Sequence, residues 1–185
     1  MCAVRIVRPE NVLTMPWKNG GGITHEILKR EHAGQLLWRL SIAEVASDGP
    51  FSVFSGMQRL LTVIEGEGLD LQTPDATIAA RLLQPVGFSG DTPMISTRLS
   101  TLVKDFNVIF DPLTIQAMVS VERDAKSLLL RAANGVIEAA LLLHDGRCDG
   151  KMLPAHSCVI VELDTVVLSC DGPVIHITLT PQVRS

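Results

Sequence analysis

Apolar runs in this chain are short, and glycine or proline interrupts them often. Few windows sustain a helical periodicity for three turns. A chain of this kind is confined to short strands joined by turns, and the expected class is all-β. Strands are predicted at Gly22–Leu28, Leu36–Val45, Gln58–Glu65, Thr77–Leu83 and Met94–Leu99. A second set is predicted at Val108–Phe110, Thr114–Val121, Ser127–Arg131, Val136–Leu143, Cys158–Glu162, Thr165–Leu168 and Val174–Leu179. The segment Leu36–Val45 alternates: Trp38, Leu40 and Ile42 share one face, and Arg39, Ser41 and Ala43 the other. Such a polar face carrying a cation suits the wall of a ligand pocket inside a barrel, and equally a strand facing solvent.

At 20.0 kDa, the folded chain should expose roughly 8,700 Å², against about 29,000 Å² when extended. That is ample for one core or two intimately joined halves. Sixteen Lys and Arg against 20 Asp and Glu give a net charge of −4, which offers no support for a broad nucleic-acid-binding face. No stretch reaches the roughly 20 apolar residues of a membrane span, and the N-terminal segment lacks the features of a secretory signal. The cysteines, Cys2, Cys148, Cys158 and Cys170, form no CxxC pair, so a reduced cytoplasmic protein is expected.

Two halves share a local grammar. Leu60–Gly68 followed by Ala76–Gly90 parallels Ala140–Gly150 followed by Lys151–Glu162: an apolar strand, an acidic glycine-containing turn, then a leucine-proline or leucine-glutamine-proline junction. A degenerate tandem repeat is the expectation. Asp111-Pro112 marks the seam, because proline breaks a strand ladder. The domains read as residues 1–110 and 111–185.

The densest polar segment is Pro16-Trp17-Lys18-Asn19-Gly20-Gly21-Gly22-Ile23-Thr24-His25-Glu26. Three glycines permit close approach by a ligand or another segment. Lys18 supplies a cation, Asn19 a donor and an acceptor, and Trp17 a shield with an indole N–H. The required order of a nucleotide P-loop is absent. An anion- or amide-recognition loop and a flexible surface turn both fit. Arg39 and Arg59 can each hold a carboxylate through two directed hydrogen bonds. The alternative is a structural pair with Glu26, Glu65 or Asp105, since a buried guanidinium requires compensation. In Lys104-Asp105-Phe106-Asn107-Val108, Asp105 and Asn107 share a face. They can orient an arginine, read a ligand, or stitch strands together.

His25, His32, His144, His156 and His176 form neither HxH nor HExxH, so no metal or other cofactor is expected. No GxSxG elbow marks a nucleophile. Asp105 or Glu26 could transfer protons if a substrate lay beside them.

The strings Trp17–Gly22 with Thr24 and Glu26, Trp38–Ala43, Gly49–Gly56, Arg59-Leu60, Gly66–Gly68, Gly87–Asp91 and Asp105–Val108 together resemble the HutD/Ves family of cupin-like proteins. They cover about half the chain. The resemblance implies a cupin-like double barrel, a bicupin, and an association with bacterial histidine utilisation or its regulation. It implies a small-molecule-binding protein rather than an enzyme, with urocanate or formylglutamate as family-level ligands. Both are anions, in keeping with the arginine chemistry. The chain departs from the family at Thr101–Lys104, where relatives place a Gly-Pro turn. It departs again at Val108–Asp111, where they carry methionine and a basic residue.

The expected function is binding of a small carboxylate by Lys18, Asn19, Arg39, Arg59, Asp105 and Asn107. The competing accounts are a cupin-type isomerase or hydrolase acting on a small acid, and a ligand-free interaction scaffold. The expected partner is a small anionic metabolite, with no nucleic acid and no membrane. An exposed β edge would admit a homodimer.

Overall fold

The computed structural model describes residues 3–18 and 20–182. In chain order its strands are β1 (Val4–Val7), β2 (Leu13–Pro16), β3 (Gly22–His32), β4 (Gln35–Val45), β5 (Gly49–Phe51), β6 (Gln58–Glu65), β7 (Gly68–Gln72), β8 (Thr77–Arg81), β9 (Val86–Ser89) and β10 (Met94–Arg98). There follow β11 (Val103–Phe110), β12 (Ile115–Glu122), β13 (Leu128–Arg131), β14 (Ile137–Leu142), β15 (Gly146–Cys148), β16 (Lys151–Leu153), β17 (Cys158–Val161), β18 (Thr165–Cys170) and β19 (Val174–Pro181). A 3-10 turn at Pro9–Asn11 separates the first two. Among the described residues no helix is long and apolar enough to cross a membrane.

The strands form two compact units. One is Leu13–Leu113; the other joins Met1–Val12 to Thr114–Ser185. The division thus falls just beyond Asp111-Pro112. The first residues do not group with the N-terminal half as the sequence reading placed them, because β1 pairs with β17, Val4 opposite Val161.

The Leu13–Leu113 unit has a six-stranded antiparallel sheet, β2-β3-β4-β11-β6-β9, and a four-stranded one, β5-β10-β7-β8. One apolar core joins them: Val45, Leu61, Val63 and Val103 from the larger sheet meet Phe51, Leu69, Leu71, Ala80 and Met94 from the smaller. The other unit repeats the plan with β1-β17-β14-β19-β12 and β13-β18-β15-β16. In each, the last strand lies between an early strand and the apolar strand that leads into the acidic glycine-containing turn: β11 between β4 and β6, β19 between β12 and β14. Leu83 and His156, at the two junctions, both adopt positive φ, and their N–H groups bond back to Val63 and Leu142.

The strands missed from sequence are β1, β2, β5, β7, β9, β15 and β16. β5, β15 and β16 have three residues each, too few to show alternation, and β7 and β9 open on or contain glycine, which reads as a turn. β11 begins five residues earlier than expected, at Val103. Its Lys104, Asp105 and Asn107 break the apolar run, yet all three sit in the ladder.

Candidate functional site

Of the polar residues singled out in sequence, Thr24, Glu26, Arg39, Arg59, Asp105 and Asn107 gather on the core-facing side of the six-stranded sheet. Strand register sets them in rows. Lys29, Arg39, Ile109, Arg59 and Phe88 are successive cross-strand partners on β3, β4, β11, β6 and β9. The next row toward the core is Glu26, Ser41, Asn107 and Leu61, and the one beyond it Thr24, Ala43, Asp105 and Val63. Arg39 and Arg59 therefore stand two strands apart, roughly 10 Å between backbones, within joint reach of one small molecule. Alternation does the placing: Trp38, Leu40 and Ile42 point to the opposite side and are also buried.

Arg59 is only 4% exposed. Its Nη1 donates to the Ser52 carbonyl at 3.0 Å and its Nη2 to Asn107 Oδ1 at 2.6 Å. The rings of Phe51, Phe88 and Phe54 lie 4.5, 5.1 and 5.2 Å from its Cζ. A guanidinium over aromatic faces is attracted by their electron density, which offsets part of its desolvation. Burial still lowers its pKa to about 10, so it remains charged at neutral pH. Behind Asn107 lies Asp105, fully buried. Asn107 Nδ2 donates to Asp105 Oδ1. Asp105 Oδ2 and Arg59 Nε have no hydrogen-bond partner. Desolvation pushes the Asp105 carboxyl up to about 7, against the opposing pull of Arg59 and Asn107.

Arg39 Nε lies 2.8 Å from Glu26 Oε2, both side chains being 14% exposed. The contact is an ion pair without hydrogen-bond alignment, since the buried Nε has no acceptor. Trp17 covers the same region and donates from Nε1 to Thr24 Oγ1 at 2.8 Å. Gly22 makes that position possible. A Cβ there would meet the Glu44 carbonyl at 2.4 Å and the Trp17 ring at 3.0 Å. The glycine run is tied by backbone hydrogen bonds: Trp17 N–H reaches Gly22 O, and Gly21 O accepts from Ala46 and Ser47.

These groups enclose a pocket of about 100 Å³ lined by Trp17, Thr24, Arg39, Ser41, Ala43, Phe51, Ser52, Phe54, Arg59, Asn107 and Ile109. It is smaller than the roughly 300–1,000 Å³ of drug-sized sites. Two guanidinium groups, hydroxyls and an amide in a largely apolar wall suit one small anion. Of the residues expected to bind, Arg39, Arg59 and Asn107 line it. Asp105 stands behind Asn107 rather than in the wall. Lys18 is exposed and does not line the pocket, and Asn19 lies outside the described residues. Glu65, weighed as an arginine partner, instead pairs with Lys104 at 3.0 Å. Among the described residues, no three of His, Cys, Asp and Glu gather as a metal site. The sequence reading missed the phenylalanine cage. Its signal was there: the chain has five phenylalanines, and three surround one arginine.

The HutD family model matches residues 9–180. A Pseudomonas putida relative, an uncharacterized 21.2 kDa protein in the hutC 3' region, is 34% identical over 152 residues, covering 76% of this chain and 80% of that one. HutD from Pseudomonas fluorescens SBW25, whose structure was determined in a formate condition, superposes with TM-score 0.82 at 32% identity, over 98% of this chain and 100% of that one. A conserved protein of unknown function from Pseudomonas aeruginosa PAO1 superposes with TM-score 0.82 at 31% identity, over 97% of this chain and 99% of that one.

Proposed function

The chain belongs to the HutD family, and from that premise we propose that it binds a small carboxylate in bacterial histidine utilisation or its regulation. The observation that carries this reading is the shared row of Arg39 and Arg59, both opening on one pocket. Arg39 has a carboxylate beside it; Arg59 makes no ion pair with a protein carboxylate within 4 Å among the described residues. An anion in the pocket would complete the hydrogen bonding and charge of a guanidinium already removed from water. Ser41, Thr24 and Asn107 would fix its orientation, and the aromatic wall would exclude competing water. We extend the reading to a cupin-like bicupin architecture, supported by the strand order that the two units share, and to action in the cytoplasm.

The reading is of binding rather than turnover. General acid–base work calls for a proton-exchanging group within reach of the ligand; the pocket wall carries two arginines, while Glu26 is paired with Arg39 and Asp105 is set behind Asn107. Isothermal titration with urocanate, formylglutamate and histidine tests the proposal. Saturable binding of a pathway acid is expected; silence toward all of them, with no turnover by mass spectrometry, would remove it.

A further inference from the structure

Asp105 is a carboxyl group with no route to water, placed beside a site read as one for anions. Its side chain is fully buried, and among the described residues its only side-chain hydrogen-bond partner is Asn107. Through that amide it faces Arg59, beyond ion-pair distance. The charged groups around it are few. From β6 comes Arg59, from β4 Arg39, and from β3 Glu26, which Arg39 already neutralises. On its own strand Lys104 alternates to the other face and pairs with Glu44 and Glu65. Core residues from the facing sheet, Phe51, Leu69, Leu71, Ala80 and Met94, are apolar.

The charge balance of this closed region then has two states. With Asp105 ionised, Arg59 is compensated and an incoming carboxylate leaves a net negative charge in a desolvated pocket. With Asp105 protonated, the carboxylate itself compensates Arg59. Isolated charge in a low-dielectric site is costly, so the anion favours the second state. We propose that the pocket takes up a carboxylate together with a proton, which resides on Asp105 Oδ2, the oxygen that Asn107 does not reach. Asp105 is thus a positioning residue, acting on the ligand through Asn107 and Arg59. This inference rests on the carboxylate-binding reading and adds the proton to it. Its near-neutral pKa places the coupling in the physiological range.

Calorimetric titration of the full chain with sodium formate tests it. Formate has no group of its own that titrates near neutrality. Run in phosphate and in Tris at matched pH, the apparent heats should differ by the buffers' ionisation heats, reporting uptake that approaches one proton above neutrality. Between about pH 7 and about pH 9 the Kd should weaken toward tenfold per unit. Asp105→Asn, which cannot ionise, should flatten that profile. Formate binding with heats independent of buffer and a flat wild-type profile would overturn the proton coupling and leave the carboxylate reading standing. So would an Asp105→Asn protein that keeps the slope. No binding of formate or the pathway acids at any pH would overturn both. The wild-type measurements decide the matter even where the variant folds poorly.

Discussion

Arg59 holds a charge that water no longer solvates, and its surroundings show how the chain manages it. Two hydrogen bonds and three rings hold the guanidinium, but none of these neutralises it. A site kept this way costs stability that an apolar residue would not. Replacing Arg59 by Met should therefore leave the melting temperature at or above wild type near pH 6, where Asp105 is largely protonated. The same change should cost formate about 2 kcal/mol or more of affinity, the scale of a lost charge-assisted bond. A variant that melts well below wild type, or one that binds formate as wild type does, would contradict this. Asp105 makes a second prediction. Its folded pKa lies above the unfolded value, so the folded state holds more protons between about pH 4 and about pH 7. Stability from this group is complete below that window and is lost as pH rises through it, on the order of a few kcal/mol. Asp105→Asn should raise the melting temperature at alkaline pH and not in acid. Arginine chemistry was legible in sequence because guanidinium groups have few uses inside a β protein. The separation of roles between Asp105 and Asn107 was not: alternation puts both on one face, and only the register shows which meets the pocket.

At the scale of the element, close approach decides what the strands present. Gly22 lets β3 start beneath the Trp17 ring, and Gly90 lets the segment before β6 fold back, where a Cβ would meet the Phe54 carbonyl at 2.5 Å. Both positions lie in glycine motifs that stood out in sequence, but their purpose did not. The run after Asn19 reads as a flexible loop until the hydrogen bonds of Gly21 and Gly22 are seen. Gly22→Ala should drive a methyl group into the Glu44 carbonyl and displace Trp17. A loss of about 1–3 kcal/mol of stability is expected, the range of overpacking, with weakened formate affinity, both read from melts and titration of one preparation. Wild-type stability in that variant would show the contact to be relaxed without cost. β11 gives the complementary lesson. A strand bearing Lys104, Asp105 and Asn107 looks broken in a hydropathy reading, yet it is a central strand: Lys104 pairs with Glu65, and Asn107 bonds to both Arg59 and Asp105.

Across the whole molecule, the all-β class was readable because turn chemistry is local. The grouping of β1 with β17 was not, since pairing over such a separation leaves no mark in a short apolar strand. The core of the Thr114–Ser185 unit includes Cys148 and Cys170, and Cys158 is fully buried, its thiol pushed up to about 12. Iodoacetamide should leave all three unmodified in the native protein and label them on unfolding, as peptide mass mapping would show; rapid native labelling would mean that this unit opens readily. None of this bears as closely on function as the pocket itself. A crystal structure of the protein saturated with formate or a pathway acid would do so. The account requires a carboxylate between Arg59 and Arg39, bonded to the guanidinium of Arg59 and within reach of Asn107. A pocket left empty at saturation, or a ligand held elsewhere on the chain, would contradict it.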